Sequence, residues 1–239
     1  METACIAALL APFLDGAFLS SVQLEQISTY IDLLIRWNSR VNLTAIRTPG
    51  EIVTRHFGES FFAARHLFPC GADTPVRRPA SQSPTAPPSN PTTTPAQAPQ
   101  THPLLADIGS GAGFPGLPIK IWSPGTSVTL IESNNKKVAF LREAIRALGL
   151  TDINVSATRA EDLPDSLAAT VTLRAVERFN QILPTAVRLL VSSGRLALLI
   201  GHSQLQETTH LNPTITWHNP TPIPGTKSRI LAVGRKARK

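Results

Sequence analysis

The residues best suited to chemistry stand in one run, Asp107-Ile108-Gly109-Ser110-Gly111-Ala112-Gly113-Phe114-Pro115-Gly116, directly behind the apolar Leu104-Leu105-Ala106. A strand that ends in an acid and passes through alternating glycines into a helix makes a cradle. Glycine reaches positive φ and has no Cβ to hold a ligand off. The helix that follows presents free N–H groups and the positive end of its dipole. Glu132 closes the next apolar run, where a carboxylate accepts from both hydroxyls of a ribose. Arg159-Ala160-Glu161-Asp162 follows the third run. It either sets the backbone of Ala160 and the carboxylate of Glu161 beside an adenine or forms an ordinary charged turn. Arg174 closes the fourth, at the crevice where open α/β sheets bind ligands. An arginine there meets the ligand, a target base or a phosphate, or it pairs with Glu161 or Glu177.

The glycines fit two cofactors. As Gly111-x-Gly113-x-x-Gly116 they meet the dinucleotide fingerprint, with Glu132 at about the distance expected of a ribose-binding acid. As Asp107-x-Gly109-x-Gly111-x-Gly113 they meet the S-adenosylmethionine loop of class I methyltransferases. A pyrophosphate wants bare N–H groups and no nearby anion, whereas a methyl donor brings an ammonium and a sulfonium. Asp107 suits the cationic ligand and repels the pyrophosphate. Pro115 removes one donor from the early helix. Both features favour the methyl donor.

Other chemistries lack their residues. After the fourth strand stands Leu173-Arg174-Ala175-Val176 rather than Asn/Asp-Pro-Pro-aromatic, which speaks against methylation of an exocyclic amine. Neither Cys5 nor Cys70 lies at a strand end of the sheet region, which speaks against covalent C5 chemistry by a thiolate. No Ser/His/Asp set and no metal cluster is placed to work, and His56 and His66 read as structural or surface histidines. The remaining reaction needs no strong base, and no single residue is singled out as catalytic.

The elements that position these residues follow from periodicity. Ile6, Leu9, Leu10, Phe13 and Leu14 recur at helical spacing. Val22 to Asn42 reads as a second helix, and Thr48 with Glu51 reads as a capping box opening a third that runs to Leu67. Residues 1–67 are thus a helical unit. Residues 68–103 hold 10 of the chain's 21 prolines and almost no large apolar side chain, so they read as an extended, disordered insertion. From Leu104 strands and helices alternate. The strands are 104–108, 127–131, 153–157, 170–173 and 195–200, the helices 117–122, 136–148 and 179–190, and a final hairpin joins 214–218 to 229–233. Residues 104–239 therefore form an α/β domain on a mostly parallel, doubly wound sheet.

Composition adds partners. The chain has 239 residues, 42% of them hydrophobic and 16% charged, with a net charge of +7, which suits a polyanionic partner and equally a basic soluble enzyme. The two cysteines give no disulfide framework and fit a reducing cytosol. The apolar stretch from Cys5 to Leu14 has only Glu2 before it and no basic residues, so it reads as an amphipathic helix rather than a targeting signal. No stretch approaches the ~20 apolar residues of a membrane span.

The chain resembles the RsmG (GidB) family, bacterial methyltransferases of N7 of a guanine in 16S ribosomal RNA. The resemblance rests on Tyr30 to Asn38, Val41-Asn42-Leu43-Thr44-Ala45-Ile46, Arg55-His56-Phe57 with Glu59-Ser60, and Asp107 to Gly116. Lys136 to Leu141, Arg159-Ala160-Glu161 and Arg174-Ala175-Val176 complete it. The resemblance implies a class I, Rossmann-like methyltransferase with a seven-stranded, mostly parallel sheet and an N-terminal helical extension. It implies S-adenosylmethionine as cofactor, with contacts at Gly109, Phe114, Ala160, Glu161 and Arg174. Together with the reading of the residues, the expected cofactor set is Asp107, Gly109, Gly111, Gly113, Phe114, Glu132, Ala160, Glu161 and Arg174. Guanine N7 carries a free lone pair, so its methylation matches the missing base. Three departures stand out: the insertion, Leu173 where the family usually has serine, and Ile200 where a lysine often precedes the glycine. The expected partner is 16S ribosomal RNA or the small subunit, bound through Lys136, Lys137, Arg142 and the tail Arg235 to Lys239, or with that tail left as a frayed end. Aromatic content of 5% fits a folded RNA better than a stacked single strand. A cytoplasmic monomer without metal or membrane is expected. Other readings are a class I methyltransferase of another substrate, a nicotinamide-dependent oxidoreductase, and a non-catalytic RNA-binding protein.

Overall fold

A computed structural model describes residues 1–69, 105–175, 179–211 and 214–238. All of the proline-rich insertion except Phe68 and Pro69 lies outside the described residues, as does Leu104 of the first expected strand. Removing residues 70–101 is expected to change kcat/KM by less than about twofold, because loop-closure entropy varies slowly with loop length. A methyl-transfer assay on the shortened chain checks this, and loss of activity would show that the segment does more than connect.

Helix α1 (Thr3–Leu14) buries Ile6, Leu10, Phe13 and Leu14, most of the stripe its spacing marks out. Helix α2 (Ser21–Asn38) starts at a capping box: Ser20 Oγ accepts from Gln23 N and Gln23 Oε1 accepts from Ser20 N. The box expected at Thr48 does not form. Its hydroxyl donates to the Glu51 carboxylate at 2.6 Å and caps no backbone group. Pro49, with its preset φ, opens α3 (Pro49–Glu51) instead.

Helix α2 ends at Asn38 rather than Asn42 because the Asn38 side chain turns the chain back. Its Oδ1 accepts from Leu43 N at 2.8 Å and Thr44 N at 3.0 Å, and its Nδ2 donates to Thr44 O at 2.9 Å. From α3 the chain passes through a π-helical stretch, Ile52–Gly58, into α4 (Glu59–Leu67). Gly58 permits the approach of α1, since a Cβ there would lie 2.6 Å from the Phe13 ring.

Eight strands follow: β1 (Leu105–Ile108), β2 (Val128–Ile131), β3 (Ile153–Ser156), β4 (Ala168–Arg174), β5 (Leu190–Gly201), β6 (Ile215–Trp217), β7 (Thr221–Pro222) and β8 (Arg229–Lys236). Their order is β3-β2-β1-β4-β5-β8-β6, with β1 to β5 parallel and β8 antiparallel to β5. The seven strands of this path are those the sequence leads one to expect. The eighth, β7, is a two-residue pairing on β8. The helices between them are α5 (Gly116–Trp122), α6 (Asn135–Ala147), α7 (Phe179–Leu189) and α8 (His202–Leu211).

Alternation along the strands divides the core in two. Leu105, Leu130, Ala197, Leu199 and Leu231 face one cluster, which contains α1, α2, α4, α5 and α6. Their neighbours Ala106, Ile131, Leu198 and Ala232 face another, closed by α7. Both faces of the sheet are therefore covered, as parallel sheets require. The helical extension shares one apolar cluster with the sheet. Side-chain bonds tie it on: Gln23 Nε2 donates to Ile121 O, Gln26 Nε2 to Leu148 O, and Trp37 Nε1 to Glu143 Oε2. Leu173 and Ile200, the two departures beside the crevice, are both buried on the α7 side. The C-terminal tail is not frayed up to residue 238. Arg235 and Lys236 belong to β8, Lys236 Nζ donates to Val187 O and Leu190 O, and Arg238 Nε donates to Ser193 Oγ.

Candidate active site

The glycine run leaves β1 at the carboxyl edge of the sheet. Gly109 N and Ser110 N both donate to Ile131 O of β2, and Gly113 N returns to Ser110 O, so the loop is closed on itself. Gly109, Gly111 and Gly113 have φ of 66°, 57° and 90°. The glycines divide the labour. Gly109 is exposed, and a Cβ on Gly111 would meet nothing nearer than Gly109 O at 3.7 Å. A Cβ on Gly113 would strike Leu117 and the Tyr30 hydroxyl at 2.4 Å, and one on Gly116 would strike Leu130 at 2.4 Å. Gly109 and Gly111 therefore form the open cradle, while Gly113 and Gly116 permit close packing behind it.

The structure changes the part played by Asp107. The sequence suggests a counter-charge facing a cation, but the side chain is fully buried. Oδ1 accepts from Thr172 Oγ1 of β4 at 2.7 Å, and Oδ2 accepts from Gly116 N at the start of α5 at 3.2 Å. Asp107 thus locks β1, β4 and α5 around the loop rather than reaching into the cradle. Burial raises its pKa to about 6, against the lowering effect of these hydrogen bonds and of Arg174. Glu132 is better placed for a ligand. Its Oε2 accepts from Gly111 N at 2.9 Å and its Oε1 from Asn134 N at 2.8 Å. Each oxygen keeps a further lone pair for a ribose hydroxyl.

Ala160 is buried in a 3-10 turn (Ala160–Asp162) at the same edge, beyond β3, and Glu161 is exposed beside it. Arg188 of α7 fastens this turn by donating to the carbonyls of Ala160, Glu161 and Leu163. Arg174 ends β4 and does not pair with Glu161; Glu177, its other expected partner, lies outside the described residues. Its Nε and Nη2 donate to Glu59 Oε2 at 3.3 and 3.1 Å, and Nη2 also donates to Arg55 O at 2.8 Å. Phe114 is enclosed at 5% exposure, between Tyr30 and His56.

That enclosure brings in residues that sequence reasoning did not assign. The Phe114 ring stacks on Tyr30 (5.2 Å, 2°) and on His56 (4.7 Å, 21°), with Phe57 edge-on to it and to Tyr30. The Tyr30 hydroxyl donates to Ala112 O in the loop. Burial, then the charge of Asp107, raises the Tyr30 pKa, so it stays a neutral donor. His56 Nε2 lies 2.7 Å from Thr44 Oγ1, while Nδ1 has no hydrogen-bond partner. Burial first, then the charges of Arg174, Arg55 and Arg229, lowers the His56 pKa to about 3. His56 is therefore a neutral member of an aromatic stack. The sequence signal was present in Asn38, Leu43-Thr44 and Arg55-His56-Phe57, which form one scaffold holding the loop from behind.

A parallel sheet of order 3-2-1-4-5, completed by antiparallel strands and carrying an open glycine cradle at β1 and a carboxylate at the end of β2, defines a class I S-adenosylmethionine-dependent methyltransferase. Comparison with known proteins narrows the class. The family model described as rRNA small subunit methyltransferase G (GidB) matches residues 23–69 and 94–228, and the chain belongs to that family. Ribosomal RNA small subunit methyltransferase G of Xylella fastidiosa strain 9a5c is 36% identical over 227 residues, 93% of this chain and 92% of that protein. The protein of the same description from Chloroflexus aggregans is 35% identical over 231 residues, 91% of this chain and 84% of that one. A solved SAM-dependent methyltransferase from Aquifex aeolicus has 15% identity and a TM-score of 0.48, covering 56% of this chain and 81% of that one.

Proposed function

We propose that this chain methylates N7 of a guanine in 16S ribosomal RNA, with S-adenosylmethionine as donor. The observation that carries this reading is kinship with rRNA small subunit methyltransferase G, over 92% of the length of the Xylella fastidiosa strain 9a5c protein. Bound in the cradle, S-adenosylmethionine supplies a methyl group on a cationic sulfur. The residues that would hold it are Gly109 and Gly111 through their bare backbone, Glu132 at the ribose, and Ala160 and Glu161 at the adenine. Asp107, Gly113 and Phe114 act from behind by fixing the loop, and Arg174 stands where donor and acceptor halves meet. Guanine N7 attacks with its own lone pair, so the chain's task is alignment and exclusion of water rather than proton removal. Neutral His56 and neutral Tyr30, both built into packing, agree with that.

In this reading residues 1–67 are an extension that backs the loop, 68–103 an insertion, and 104–239 the methyltransferase domain. Lys136 and Arg142 are exposed and Lys137 half-buried on α6, which suits contact with RNA phosphates. Among the described residues no helix is long and apolar enough to cross a membrane. A cytoplasmic monomer acting on the RNA or the small subunit is consistent with this. Mapping N7-methylguanine in small-subunit RNA from cells lacking the gene tests the substrate. One site is expected to lose its methyl group, and an unchanged map would overturn the assignment.

A further inference from the structure

Positive charge is concentrated around one buried acid beside the end of β4. Glu59, the first residue of α4, has no exposed surface. Arg174 pairs with its Oε2 at 3.1 Å from β4, and Arg229 brings Nε to 3.0 Å of the same oxygen from the start of β8. Arg55 brings Nε to 3.4 Å of Oε1 from the π-helical stretch. All ion pairs of these three arginines among the described residues go to Glu59, so one carboxylate serves three guanidiniums. The Arg229 Nε contact has the distance of an ion pair but not the angle of a hydrogen bond, and this buried N–H has no other partner. The side chains remain open to different degrees: Arg55 is 48% exposed, Arg229 22% and Arg174 10%.

Such a group is costly to assemble, because like charges held together repel and burial weakens their hydration. A surplus that no other carboxylate among the described residues pairs with is what an incoming oxyanion would neutralise, and guanidiniums match phosphate oxygens in fork geometry. Strand order indicates which oxyanion. The donor's features lie on β1, on β2 and after β3. Arg174 lies on β4, and Arg229 stands opposite Gly201 at the end of β5, in the other half of the sheet. Arg174 is also an expected donor contact, but Arg55 and Arg229 lie on elements that carry none, so the anion assigned to this group is the acceptor's.

We propose that Glu59 is a positioning residue for the acceptor: it gathers Arg55, Arg174 and Arg229 into a socket for a backbone phosphate of the RNA. Glu59 itself touches no substrate. It offsets enough of the repulsion to hold three guanidiniums together and leaves two charges for the phosphate. This rests on the reading that the acceptor is RNA.

The test uses the full chain, 16S RNA as acceptor, and three readouts: KM and kcat for RNA, affinity for S-adenosylmethionine by calorimetry, and the salt dependence of RNA binding. Arg55→Ala, at a half-exposed side chain, is expected to raise KM for RNA about tenfold, as for loss of a charge-assisted contact. It should reduce the slope of log affinity against log salt by about one. Donor affinity should stay within about twofold. Glu59→Gln should likewise raise KM for RNA more than it lowers kcat. If Glu59→Gln fails to fold, Arg55→Ala alone decides. Unchanged KM and salt slope in Arg55→Ala, with normal methyl transfer by the parent chain, would overturn this proposal and leave the functional reading standing. A parent chain that binds the donor but transfers nothing to 16S RNA or to intact small subunits would overturn both.

Discussion

Replacing Gly111 by valine is expected to abolish binding of S-adenosylmethionine while leaving a folded chain. Gly111 has φ of 57°, and among the described residues an added Cβ meets only Gly109 O at 3.7 Å, so the protein itself has room for that atom. The strain of a non-glycine residue at positive φ costs about 1–2 kcal/mol, enough to lower Tm by a few degrees but not to unfold a domain of this size. The space filled is the space the donor needs, so affinity by calorimetry should fall more than a hundredfold. Gly113→Val is the contrast. Its Cβ would lie 2.4 Å from Leu117 and Tyr30, so there the fold rather than the ligand is hit, and Tm should drop much further. Survival of donor affinity in Gly111→Val would mean that the loop is not the site.

The second large effect is a pair of opposed pH dependences. His56 has a folded pKa of about 3 against an ordinary 6.5. A depressed histidine pKa stabilises the fold above the unfolded value, and that stability drains away as pH falls from 6.5 towards 3. Asp107 has a folded pKa of about 6 against 3.8. A raised carboxyl pKa favours the fold below the unfolded value, and that contribution is lost as pH rises through 6. Between pH 6.5 and 4 His56 accounts for about 3 kcal/mol and Asp107 for about 2 kcal/mol of opposite sign, so in the parent chain they largely offset each other. The single variants separate them. His56→Gln, which cannot charge, should gain stability on acidification over that window. Asp107→Asn should lose it. Denaturant midpoints at half-unit pH steps read the slopes directly, and parallel profiles in the two variants would refute the account of both residues.

The stretches that the sequence made legible were those where local pattern and burial agree. β1 and β2 are short apolar runs bounded by Asp107, Gly109 and Glu132, and their positions follow from that alone. Helix α8 was not anticipated, because HSQLQETTHL follows β5 without a break and carries no apolar stripe. β5 begins at Leu190, earlier than its apolar run implies, since Ser193-Gly194 reads as a turn and Ser193 does adopt φ of 62° within the strand. The π-helical stretch ends at Gly58, which packs against Phe13, a contact between distant segments. The cradle glycines were legible in the same local way. Which of them stay open was not, because that depends on Tyr30 and Leu117 closing over Gly113. Arg174 was visible as a candidate site residue, but its partner Glu59 lies 115 positions away, and nothing local joins them. Asp107 was read as facing a cation because a charge at a strand end usually meets solvent or ligand. Thr172 and Gly116, brought in by β4 and α5, enclose it instead.

The measurement that bears most directly on the account is transfer of tritiated methyl groups from S-adenosylmethionine to 16S RNA and to intact small subunits by the purified chain, with the product nucleoside identified. Incorporation as N7-methylguanosine at a single site, lost in Gly111→Val, is the predicted result. Label appearing on another base or atom, or no label on either acceptor from a chain that binds the donor, would contradict it.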